Sequence, residues 1–139
     1  MTRKRVVLDT NIVISALLFR GPLSRIHAFW KREAFNLVAS KEIVEEYISV
    51  LAYPKFRLTK QEIETLLQVE LLPYVEPVII PAELKRVCLD PDDDKFLACA
   101  RTAKADAIVS GGKHLLSLKA RGMSIISAEA FLSQWPKDL

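Results

Sequence analysis

The sequence predicts an α/β protein, a three-layer α/β/α sandwich on a mainly parallel central sheet. Three observations predict it. Short apolar runs at residues 6–8, 35–39 and 107–110 alternate with segments of helical periodicity along the whole chain. The run Val6, Val7, Leu8 is apolar at consecutive positions, as in strands buried on both faces. Glycine and proline punctuate the alternation at Gly21, Pro22, Pro54, Pro73, Gly111 and Gly112.

The elements follow in order. The first strand stops at Asp9, and residues 11–19 read as a helix closed by Gly21 and Pro22. Pro22 suits the first turn of a second helix running to about Ala34, with Ile26, Phe29 and Trp30 at helical spacing as core residues. Residues 35–39 form a second strand. Ser40 then caps a helix whose Ile43, Val44, Tyr47, Ile48 and Leu51 share a face, and Pro54 stops it. The run Thr59-Lys60-Gln61-Glu62 is a capping box opening a helix to about Leu72. Residues 75–80, with Pro77 inside, read as an edge strand or extended connector, and residues 81–88 as a link or short helix. Four acids in five residues (Asp90, Asp92, Asp93, Asp94) precede a helix over 95–103. A buried strand at 107–110, a short helix at 113–120, a last strand at 123–127 and a helix capped by Ser127 running to Trp135 complete the chain. No internal repeat or flexible linker appears, so residues 1–139 read as one domain.

Composition narrows the function. Half of the 139 residues are apolar and 27% are charged, ordinary for a globular protein. A net charge of +3 is compatible with a polyanionic partner but does not argue for one, because the basic residues are scattered. The local exception is Arg3, Lys4 and Arg5. Cys88 and Cys99 have neither CxxC spacing nor clustered histidines, so they read as free, buried thiols in a reducing compartment. With no apolar run of membrane-span length and no signal-peptide pattern, the expectation is a soluble cytoplasmic protein without membrane association.

The acids carry the chemistry. Asp9 stands where a strand turns directly into a helix, at the sheet edge where open α/β folds bind ligands. Taken alone it reads as an N-cap, whose side chain satisfies free backbone N–H groups. Glu42, Glu45 and Glu46 ride on the third helix. Glu45 and Glu46 point about 100° apart, so one of them tilts toward the apolar stripe. In the Asp90–Asp94 cluster one acid can cap the helix, while mutual repulsion penalises the surplus unless a cation is bound. Carboxylates from three segments, without His or Cys, suit Mg²⁺ or Mn²⁺. Such an ion can activate water and stabilise in-line attack on a phosphodiester. An EF-hand loop, a dinucleotide fingerprint, a Walker A sequence and a nucleophile elbow are all absent. Asp9-Thr10-Asn11 also lacks the second Asp of an aspartyl phosphatase, and the acidic pair of a receiver domain is missing.

Four stretches together resemble the PIN domain family, specifically its toxin–antitoxin toxins (VapC-like). They are VVLDTNIVISALL, SKEIVEEYISVL, DPDDDKFLACA and AIVSGGKHLLSL. The resemblance implies a Mg²⁺- or Mn²⁺-dependent ribonuclease that forms homodimers and pairs with an antitoxin protein. By position, Asp9, Glu46 and Asp94 look like the metal-binding, catalytic acids. Asp93 and Asp90 are neighbours of that set, and Glu45 is the less favoured occupant of the second place. Thr10, Asn11 and Ser110 resemble the supporting polar residues. One position departs: the family carries an acid two residues after the Ser110 position, and Gly112 stands there. Losing that carboxylate should weaken a metal site. The alternative is therefore a catalytically impaired PIN-like module that binds RNA or a protein. Arg3, Lys4 and Lys113 are the basic residues expected to help hold RNA.

Overall fold

The computed structural model describes residues 3–81, 91–111 and 124–134, with residues 91–94 traced by main chain alone. Its strands are β1 (Arg5–Leu8), β2 (Asn36–Ser40), β3 (Val75–Val78), β4 (Ala107–Val109) and β5 (Ile125–Ile126). They form one sheet in the order β3-β2-β1-β4-β5, and each described pairing is parallel. Helices α1 (Thr10–Leu18), α2 (Ser24–Lys31), α3 (Lys41–Leu51), α4 (Lys60–Thr65), α5 (Pro91–Ala103) and α6 (Ala128–Gln134) complete the expected α/β/α sandwich. Parallel neighbours cannot be joined by tight turns, so helices must make the return crossings and cover the sheet. No described helix is long and apolar enough to cross a membrane.

The apolar runs fill the centre. Val6, Val7, Leu8, Leu37, Val38, Ile108 and Val109 are inaccessible to solvent. Trp30, Phe35, Phe96 and Phe131 pack around them, Phe35 meeting Phe131 edge-on with ring centroids 5.4 Å apart. Cys99 is a free, buried thiol whose pKa burial pushes up to about 12, so it stays protonated and inert. Cys88 lies outside the described residues.

Element boundaries differ from the sequence expectations in physically readable ways. Helix α1 begins at Thr10, one residue early, because Asp9 itself is the N-cap. Helix α2 is shorter than 22–34. Pro22 precedes it, and Glu33 turns left-handed (φ 57°) behind it while the Glu33 and Ala34 amides return to the Trp30 and Phe29 carbonyls. The capping box at Thr59 and Glu62 is present, but the coil widens to π-type turns over Leu66–Leu71. There the Glu70 carbonyl accepts from the Trp30 indole at 2.8 Å. Strand β3 lies at the sheet edge and is shorter than 75–80, with Pro77 opposite Ala39. Helix α5 starts at Pro91 instead of 95, since proline tolerates a first helical turn. Asp92, Asp93 and Asp94 are thus in that turn and not ahead of it. Among the described residues the last strand spans Ile125 and Ile126. Ser127 does cap α6, its hydroxyl accepting from the Ala130 amide at 3.0 Å. The expected elements at 81–88 and 113–120 lie almost wholly outside the described residues.

Candidate functional site

The sheet order fixes where a ligand can enter. From β1 the chain moves outward to β2 and β3, then returns to place β4 on the other side of β1. The helices diverge at such a reversal and leave a crevice at the C-terminal ends of the two central strands. Asp9 follows β1 and Ser110 follows β4, so these two residues straddle that crevice. The Asp9 amide donates to the Val109 carbonyl at 2.9 Å, which ties the two strand ends together.

The Asp9 carboxylate is held from two sides. One oxygen accepts the Thr10 amide at 2.7 Å, as an N-cap should, and the other accepts the Ser110 hydroxyl at 2.8 Å. Asp9 is thus the N-cap of α1 through one oxygen, while its other oxygen faces β4 through Ser110. Burial pushes its pKa above the ordinary carboxylate value. The hydrogen bonds from Ser110 and Thr10 pull it back, the Glu46 charge adds to the rise, and the Lys95 charge opposes it.

Helix α3 brings the second acid. Ser40 ends β2 and caps α3 through the Ile43 amide at 3.3 Å, so the helix starts at the sheet edge that carries Asp9. One turn on, the buried Tyr47 hydroxyl donates to the Leu8 carbonyl at 2.6 Å and clamps α3 to the end of β1. That clamp sets the helix phase. Glu46 is half-buried and accepts from the Thr10 hydroxyl, whereas Glu45 is exposed and turned away. Glu46 is thus the member of the pair that joins Asp9, with Thr10 between them.

Lys95 was not singled out by sequence, and it is the site's main surprise. From α5 it donates to the other Glu46 oxygen and forms an ion pair, with both side chains about three-quarters buried (22% and 26% exposed). The signal available was its position directly after four acids, on the helix that packs across β1 and β2. Asp94, the preceding residue, lies in the first turn of α5 by main chain. The side chains of Asp92, Asp93 and Asp94 are not described, and Asp90, Gly112 and Lys113 lie outside the described residues.

Asn11 is exposed on the first turn of α1 and lines a neighbouring cavity. Arg3 and Lys4 are not brought to the site. They precede β1, whereas Asp9 follows it, so about 20 Å of extended chain separates them from the carboxylates. Arg3 pairs with Glu33 at 3.6 Å. Arg5 is committed to Glu76 and to the Ala103 carbonyl.

Asp9, Glu46, Thr10 and Ser110 present hard oxygens only, the donor chemistry of Mg²⁺ or Mn²⁺. One fact favours a cation and one competes with it. Asp9 is a half-buried carboxylate with no ion pair among the described residues, whereas Glu46 is already answered by the Lys95 ammonium, which an incoming ion would have to displace or share. Among the described residues, no third His, Cys, Asp or Glu completes a metal-sized cluster.

Comparison with known proteins identifies the family. Residues 5–114 match the PIN domain. A stretch of 117 residues is 32% identical to an uncharacterized protein of Methanocaldococcus jannaschii, covering 83% of this chain and 75% of that one. The chain belongs to the PIN domain family, whose members are generally nucleases that use divalent metal ions.

Proposed function

We propose that the chain is a metal-dependent endoribonuclease that hydrolyses RNA phosphodiester bonds, and that it is the toxin of a toxin–antitoxin pair. The observation that supports this best is the meeting of Asp9 and Glu46 through Thr10, with Ser110 on the second Asp9 oxygen, at the switch point of a parallel sheet. In this reading Asp9, Glu46 and Asp94 hold Mg²⁺ or Mn²⁺, with Asp93 as a neighbour. The ion when bound supplies Lewis acidity toward a phosphoryl oxygen and acidifies water. The chain's own residues do the rest. Ser110 and the Thr10 amide fix the orientation of Asp9, while Thr10 and Lys95 fix that of Glu46. Lys95 and Lys113 offer positive charge to the phosphate. Arg3 and Lys4 have no part in the proposal, because they sit at the other end of β1.

An antitoxin protein, a homodimer and a cytoplasmic location complete the proposal. An arginine from an antitoxin would pair well with carboxylates crowded at one edge. A second reading has a specific motive. Gly112 stands two residues after Ser110, where a further acid would add ligand oxygens, so the alternative is an impaired module that binds RNA or protein.

RNA cleavage with Mn²⁺ or Mg²⁺ decides between them. Cleavage by the chain as it stands, abolished by EDTA and lowered at least about a hundredfold by Asp9→Asn, is the expected outcome. Cleavage that appears only in Gly112→Asp would favour the impaired module. Silence from both proteins, with no stabilisation by metal, would refute the nuclease.

A further inference from the structure

Beside the carboxylates lies a cavity of about 480 Å³ between α1 and the turn Pro54–Phe56, lined by Asn11, Ser15, Leu18, Phe19, Lys55 and Phe56. Its size suits a small organic group. It opens two residues from Asp9 and follows α1 from Asn11 to Phe19, eight residues or about 12 Å along the axis. Phe19 is half exposed (53%), although a large aromatic ring is normally covered. It faces Phe56 with ring centroids 6.2 Å apart at 56°, too open a tilt to be a closed stack. The Lys55 ammonium lies 5.1 Å from the Phe56 ring centre. The polar lining consists of the Asn11 amide, the Ser15 hydroxyl and the Lys55 ammonium, with no acid among the lining residues. Arg20 and Arg57, next in the chain to the two rings, are exposed.

We infer that this cavity is a base-binding subsite for single-stranded RNA, taking a nucleotide that flanks the phosphate held at Asp9. Aromatic faces beside cationic side chains are how proteins hold single strands without duplex geometry, the bases stacking on the rings and the phosphates meeting the charges. The Asn11 amide carries both a donor and an acceptor for a base edge. The cavity and the carboxylates share helix α1, with Asn11 in the lining two residues after Asp9, so a strand held at Asp9 has a base within reach of the cavity. The inference rests on the ribonuclease reading for the identity of its ligand. It adds that Phe19, Phe56 and Lys55 grip the base next to the cut.

The test is fluorescence anisotropy with a labelled single-stranded RNA of about eight nucleotides, in EDTA so that binding is read without cleavage. Phe19→Ala is the primary variant, because Phe19 is exposed at the end of α1 and its removal spares the core. Phe56→Ala and Lys55→Gln accompany it. Phe19→Ala and Phe56→Ala should each weaken single-strand binding about tenfold, and Phe56→Trp should retain it. Affinity for a duplex of the same sequence should change less than about twofold, because paired bases cannot stack on protein rings. Unchanged single-strand affinity in folded Phe19→Ala, or no single-strand binding by the unmodified chain, would overturn the subsite; the first would leave the rings to a protein contact. Failure of the nuclease reading is separate. A chain that binds single strands through Phe19 but cuts nothing with Mn²⁺ retains the subsite and loses the activity. One that cuts RNA and ignores Phe19→Ala loses only the subsite.

Discussion

Lys95 and Tyr47 show how single side chains assemble the carboxylates. Two acids at one sheet edge repel each other, and Lys95 offsets this by standing against Glu46 while its charge also reaches Asp9. A metal ion would supply the same positive charge. Lys95→Met should therefore destabilise the metal-free protein by on the order of 1–3 kcal/mol, between the worth of an exposed pair and a buried one. Mn²⁺ should recover most of that loss, which thermal melts with and without the ion would read. A loss that Mn²⁺ does not touch would make Lys95 a plain structural cation. Tyr47 acts through geometry, since its hydroxyl holds α3 to the Leu8 carbonyl from full burial. Tyr47→Phe leaves that carbonyl without this donor and should cost about 1–2 kcal/mol in urea unfolding. It should also weaken Mn²⁺ binding, because Glu46 loses its fixed helix phase. The Asp9 and Glu46 positions were legible in sequence because an acid at a strand end and an acid on an amphipathic helix each break a pattern. Helix periodicity fits Glu45 and Glu46 alike, so the preference for Glu46 came from resemblance, and the Tyr47 hydrogen bond is what turns Glu46 toward Asp9.

Secondary-structure elements were readable where a local hydrogen bond starts or stops them. Ser40, Ser127 and the Thr59–Glu62 box cap helices that begin where the sequence puts them. The widened turns at Leu66–Leu71 were unreadable, because their cause is tertiary: α2 docks there through the Trp30 indole on the Glu70 carbonyl. The same docking gathers charge. The Glu70 carboxylate takes Lys31 at 2.9 Å and lies 3.1 Å from His27 Nε2. Burial lowers the His27 pKa from its ordinary 6.5, and the hydrogen bond from Lys31 lowers that of Glu70 from 4.5. A base with a lowered folded pKa binds fewer protons folded than unfolded, so its contribution is present above 6.5 and lost as pH falls through that range. The Glu70 contribution is lost only further down, below 4.5. The Tm advantage of the unmodified chain over His27→Gln should therefore shrink as pH drops below 6.5. A difference independent of pH would contradict this account of the α2 contact.

At the scale of the whole molecule, the strand order β3-β2-β1-β4-β5 makes a site of residues far apart in sequence. Asp9 and Ser110 meet across 101 positions because β1 and β4 are neighbours at the reversal. The alternation of strands and helices announced a parallel sheet, but order within a sheet leaves no mark in composition or periodicity. Resemblance supplied what periodicity could not, naming Asp9, Glu46 and Asp94 as one set. Lys95 escaped notice because a lysine on a helix is ordinarily solvated, and only the packing of α5 against β1 and β2 turns it inward. The proposed nuclease stands on Asp9 and Glu46 belonging to one divalent-metal site. Calorimetric titration with Mn²⁺ tests it most directly, on the unmodified chain, Asp9→Asn and Glu46→Gln. The unmodified chain should give a saturable binding isotherm that both substitutions weaken about tenfold or more. Equal binding by all three proteins would place the metal elsewhere and rule out a shared site at Asp9 and Glu46.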